Sequence, residues 1–165
     1  MAVQFTRTLT FTRLANTTQY TAGDAVSDNA TTATVATFTL ANMCSGKGGG
    51  GRIDSIVLHK SDQDLTAADF DIYLFDTAVD GANFEDNVAH GLTDAELATC
   101  LGFVALTAAA DGIAMTTGDL YHKTNLDWTY GLYAGTSIYV VIIARGAYTP
   151  ASAEVFTLRF SGEID

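Results

Sequence analysis

The chain has 165 residues, 48% of them apolar and only 16% charged, with 25 Ala, 24 Thr and 15 Gly in place of the missing charge. One domain of this length, near the usual size of about 100–200 residues, buries enough surface to hold a core without metal or disulfide. The net charge of −11 argues against nucleic acid and against an anionic membrane surface as partners, because both select a basic face.

The opening residues Met1 to Arg7 lack a basic segment followed by an apolar one, so no targeting signal is expected. The uncharged run from Asn29 to Gly46 is interrupted repeatedly by Thr and is a poor candidate to span hydrocarbon. Cys44 and Cys100 form no CxxC and are expected as two reduced, buried thiols in a protein finished in a cytoplasm.

Taken in chain order, the first element is a strand. Val3, Phe5, Arg7, Leu9, Phe11 and Arg13 alternate with Gln4, Thr6, Thr8, Thr10 and Thr12, which gives one apolar face carrying two arginines and one hydroxyl face. Residues 1–17 are therefore expected as an N-terminal strand or arm, and 18–165 as a single β-sandwich domain. Residues 1–23 carry +2 and the remainder −13, so Arg7 and Arg13 are candidate interface residues. They would either pair with the chain's own carboxylates or meet acidic groups of a neighbour when the strand completes a foreign sheet edge.

Ala36, Phe38 and Leu40 alternate with Thr37 and Thr39, and Phe156, Leu158 and Phe160 with Val155, Thr157 and Arg159. Residues 70–75 and 138–144 are apolar on both faces, which implies a central strand or one with an additional cover. Gly-rich and Asp-rich breaks separate the runs. The fold expected is all-β, an antiparallel β-sandwich of jelly-roll type. One short helix is expected near residues 93–100, where Thr93 and Glu96 form a capping box flanked by Leu92 and Leu97 as a hydrophobic staple.

The sequence carries little recognisable catalytic chemistry. HExxH, GxSxG and paired CxxC motifs are absent, and Gly46 to Arg52 fails the phosphate-loop pattern because Gly48 stands where Ser or Thr is required. The carboxylates Asp62, Asp64, Asp69, Asp71, Asp76 and Asp80 lack calcium-loop order and read as a solvated acidic surface. His59, His90 and His122 have no nucleophile context. No catalytic, cofactor or metal residues are assigned, and no enzyme is expected.

Several segments carry a resemblance. They are Gln19 to Val26, expected as an early strand breaking at its Gly23-Asp24 turn, Gly51 to Leu58, the aromatic run Asp71 to Ala78, Asn83 to Asn87, Leu92 to Leu97, and Leu101 to Val104. In this order, over roughly half the chain, they resemble the head decoration or cement proteins of tailed bacteriophages. The resemblance implies a structural virion protein on the outer surface of a capsid, assembled in the host cytoplasm. Its partner would be the major capsid protein, whose contacts between capsomers it would stabilise. A homo-oligomer is implied, with a trimer favoured. Tyr130 and Tyr133 are either interface candidates, because Tyr is enriched where proteins meet, or rings that fill the domain's own core. The alternative is a carbohydrate-binding or fibre-like module presenting Trp128, Tyr130 and Tyr133 to a sugar face.

Overall fold

The computed structural model describes residues 2–28, 38–63 and 68–165. Among the described residues ten strands form two antiparallel sheets: β1 (Val3–Thr12), β2 (Phe38–Leu40), β3 (Gly50–Lys60), β4 (Phe70–Phe75), β5 (Cys100–Leu106), β6 (Gly112–Met115), β7 (Gly118–Lys123), β8 (Trp128–Gly131), β9 (Ile138–Ala144) and β10 (Val155–Ile164). One sheet runs β1-β10-β3-β7-β6 with β8 also paired to β3, and the other runs β2-β9-β4-β5. β1 to β4 fall alternately in the two sheets, while β4-β5 and β6-β7 stay together as antiparallel pairs. The paired orders β1-β10-β3-β7 and β2-β9-β4-β5 are the nested Greek-key order of a jelly roll. β1 lies against β2 at one side of the sandwich and β5 against β7 at the other.

The alternation in the sequence decides which face goes inward. Along β1 the odd residues point to the interior, with Phe5 and Phe11 buried, while the even residues are exposed. Phe11 stacks on Phe38 of β2 at 4.2 Å between centroids and on Phe156 of β10 at 5.3 Å, so one ring ties three strands and both sheets together. β1 pairs with β10 from Val3↔Ile164 to Thr12↔Val155, and Phe5 and Phe11 belong to the main core with Ile56, Leu58, Leu158 and Phe160.

β4 and β9 are apolar on both sides because a second small core covers the outer face of their sheet. Val141 and Ile143 of β9 and Phe75 of β4 pack there under Ala25, Val79 and Phe84. The covering segment carries a 3-10 turn (Gly81–Asn83) and α1 (Asp94–Leu97). The Thr93 hydroxyl accepts from the Glu96 N–H while the Glu96 carboxylate accepts from the Thr93 N–H, the reciprocal cap foreseen from the sequence. The staple is not made as expected, since Leu97 is exposed and Leu92 packs against the second core instead.

Three further expectations need correction. A second helical turn, α2 (Ala108–Asp111), joins β5 to β6. Its first amide, Ala108 N–H, is satisfied by the Asp69 carboxylate. Gln19 to Val26 is not a ladder strand. Its amides bond singly, Tyr20 to the Tyr148 carbonyl, Gly23 to Ala144 and Val26 to Ile142, beside isolated bridges at Asp24 and Ala25. Cys44 is buried but Cys100 is only half-buried, and both are free thiols. Ala36, Thr37 and Asp64 lie outside the described residues. Among the described residues, no helix is long and apolar enough to cross a membrane.

Candidate interaction surface

The residues singled out in the sequence do not converge on one place. Arg13 sits just past β1 and is only 2% exposed. Its guanidinium donates to the Asp86 carboxylate at 3.0 Å, to the Tyr20 hydroxyl and to the Asn16 carbonyl. The interface role expected for Arg13 is therefore corrected: a buried guanidinium needs a carboxylate, and this chain supplies it internally. Arg7 is half-buried at the side of the sandwich, where it donates to the carbonyls of Ala41 and Asn42 and clips β1 to the segment after β2.

Tyr130 is also a core residue rather than a surface one. It is 9% exposed, and its hydroxyl donates to the Met43 carbonyl. Burial pushes its phenol well above the ordinary tyrosine value. Trp128, two residues earlier on β8, turns the same way and donates its indole N–H to the Leu101 carbonyl. Tyr133 alone stands out, at 81% exposure. The three rings form no row, so the sugar-binding alternative loses the feature that motivated it.

The acidic residues between Asp62 and Asp80 are mostly engaged one at a time. Asp71 faces Arg145 at 3.4 Å, and Asp76 accepts from the amides of Tyr133 and Ala134, fixing the loop after β8. Burial raises the Asp71 carboxyl above its ordinary value against the pull of Arg145. Among the described residues no three His, Cys, Asp or Glu side chains are grouped to hold a metal ion.

What the structure does assemble is a face. The outward residues of the larger sheet fall in register into three rows: Thr6, Ser161 and Ser55; then Thr8, Arg159, Val57 and His122; then Thr10, Thr157, His59, Leu120 and Ile113. A shallow depression over the middle of this face is lined by Thr8, Val57, His59, Leu120, Thr157 and Arg159. None of these positions carries a carboxylate, although the chain has 19 acidic residues. Carboxylates return past the bulge between Ser161 and Gly162, where Arg52 meets Asp54 at 2.7 Å and Glu163 at 3.6 Å.

This face is continuous with exposed apolar side chains at its β6 edge, where Ile113 is 58% and Met115 47% exposed. The strand alternation held the signal, because the outward positions of β1, β3 and β10 are all read from a period of two. The register that sets them side by side was not in it. Neither a protein-family model nor a curated protein matches the chain.

Proposed function

We propose that the protein is a structural virion component that binds the outer surface of a bacteriophage capsid and stabilises contacts between its capsomers. It would act as a homo-oligomer, a trimer being favoured, and assemble on the capsid in the host cytoplasm. The single observation that supports this reading is the acid-free outer face of the larger sheet in a protein whose net charge is −11. Asp, Glu and Lys are depleted at the centre of protein interfaces because they are costly to desolvate, whereas Arg, represented here by Arg159, is enriched. The acidic remainder of the surface would face solvent and repel a packaged genome.

A sandwich of this order also serves other roles, so the fold alone does not assign the function. The test is co-sedimentation of the purified protein with capsids built from the major capsid protein of the same genome. Binding is expected for the natural chain. It is expected to be lost in a His59→Glu, Thr157→Glu double variant that keeps its circular dichroism, because two carboxylates then sit at the centre of the face. Absence of co-sedimentation, or binding that survives both substitutions, overturns the reading.

A further inference from the structure

The densest chemistry in the molecule lies in the core, at the end of the sandwich where β3, β7 and β10 meet. Lys60 is the last residue of β3 and stands directly opposite Asp119 of β7. Its ammonium nitrogen is 3.0 Å from Asp119 Oδ2 and 3.3 Å from Glu154 Oε1, and all three side chains have no solvent exposure. The third direction of the ammonium is taken by the Asp62 carbonyl at 2.9 Å.

Burial of one cation among two carboxylates is poorly compensated. Among the described residues, Asp119 Oδ1 and Glu154 Oε2 are enclosed with no hydrogen-bond partner. A permanent ion triad would have to sustain the desolvation of three charges, one of them in excess. Around it stand apolar and aromatic groups: Phe156 is the β10 partner of Lys60, and the Tyr148 ring lies 5.8 Å from the lysine nitrogen. The approach is built in by Gly118, where a Cβ would fall 2.4 Å from the Lys60 carbonyl oxygen.

We propose that Lys60 and Asp119 join in a spontaneous intramolecular isopeptide bond, with Glu154 as the proton carrier for the condensation. Glu154 takes a proton from the Lys60 ammonium. The freed nitrogen lone pair adds to Cγ of Asp119, and the new C–N bond is completed as one carboxylate oxygen departs. That oxygen leaves as water with two hydrogens that began on the lysine nitrogen, transferred through Glu154, which ends as it started. Nothing is oxidised or reduced, and no co-reactant is needed.

Two physical effects favour this step here and not in water. Holding the amine against the acyl group supplies effective concentrations of about 10⁵–10⁸ M. Excluding water removes both the solvation that stabilises the separated ions and the nucleophile that would reverse the reaction. Burial already raises the Glu154 carboxyl above its ordinary value against the opposing pull of Lys60, as a group that must hold a proton in transit requires.

The test is mass spectrometry of the denatured full-length chain with peptide mapping. Cleavage after Arg and Lys and after Glu is expected to leave residues 53–85 joined to 97–123, lighter than their sum by one water, with Lys60 resistant to trypsin. The Asp119→Ala chain is expected to give the two peptides separately. Glu154→Gln is expected to keep the fold and lose the bond. A natural chain whose Lys60 and Asp119 peptides separate at full mass overturns the proposal, whether or not the variants fold. So does a missing water that maps to succinimide at Asp80-Gly81 or Asp111-Gly112. A Glu154→Gln chain that joins as fully as the natural one overturns the assignment of Glu154.

Discussion

Arg13 and Asp86 meet at 3.0 Å with both side chains wholly enclosed, joining the end of β1 to the segment that covers the opposite sheet. The pair is completed by the Tyr20 hydroxyl and the Ser27 amide, which both donate to the same carboxylate. Removing the acid leaves a buried guanidinium without a counter-charge. Asp86→Ala is therefore expected to destabilise the protein by about 3–5 kcal/mol. Urea unfolding measures it, and a loss within the ±0.5 kcal/mol or so of an ordinary surface change would contradict the pairing.

The N-terminal strand is expected to be indispensable to the fold. Phe11 is 5% exposed and touches rings from two other strands, so Phe11→Ala is expected to cost about 3–5 kcal/mol. Deleting residues 2–12 removes Phe5 as well and strips β10 of its neighbour along its whole length. The expected result is loss of cooperative thermal unfolding. A truncated chain that folds normally but no longer binds or oligomerises would instead make this segment an arm.

Much of this was legible in the sequence where local pattern and tertiary environment agree. The period of two in β1 predicted which residues face inward, and the capping box fixed the start of α1 at Asp94. The two-sided apolar strands predicted the cover over β9. For Arg13 and Tyr130 the sequence left an internal and an interface reading open, and the internal one holds in both. Local pattern could not decide between them, because the partners are 73 and 87 positions away. Lys60, Asp119 and Glu154 left no local trace for the same reason. Lys60 and Asp119 lie on separate strands and Glu154 just before a third, and only the register of β3 with β7 brings the first two face to face.

The acid limb of the stability profile is expected to contain Glu96. Burial works against its carboxylate, but hydrogen bonds from the Thr93 and Asp80 amides, the Thr93 hydroxyl and the Asn83 side chain outweigh it and hold its pKa below the ordinary value of 4.5. A depressed carboxyl contributes stability that is present above the unfolded-state value and is lost as pH falls through the folded-state one. Glu96→Gln is thus expected to lower stability at neutral pH by about 0.5–2 kcal/mol, the usual worth of a cap. It is also expected to flatten the slope of stability against pH below 4.5. Thermal melts of both proteins across that range would show the two curves converging at low pH. Parallel curves would remove Glu96 as the source.

Gly162 is expected to tolerate no side chain. It sits at the bulge where β10 shifts register against β3, with Ser161 opposite Ser55 but Gly162 opposite Ile53, so that Asp54 is the extra residue. The two backbones close in at this point. A Cβ on Gly162 would lie 1.9 Å from the Arg52 carbonyl oxygen and 3.0 Å from the Ile53 Cα. Both obstacles are main chain, so relief requires the strands to part rather than a side chain to rotate. Parting them would disturb the ladder that sets Arg52 beside Glu163 and ends the acid-free face. Gly162→Ala is therefore expected to cost at least the 1–3 kcal/mol or so typical of overpacking. Gly46, where a Cβ would have no neighbour within 4 Å, supplies the control, and Gly46→Ala is expected to stay within about 0.5 kcal/mol of the natural chain. Equal stability of the two alanine variants in urea would contradict the bulge geometry.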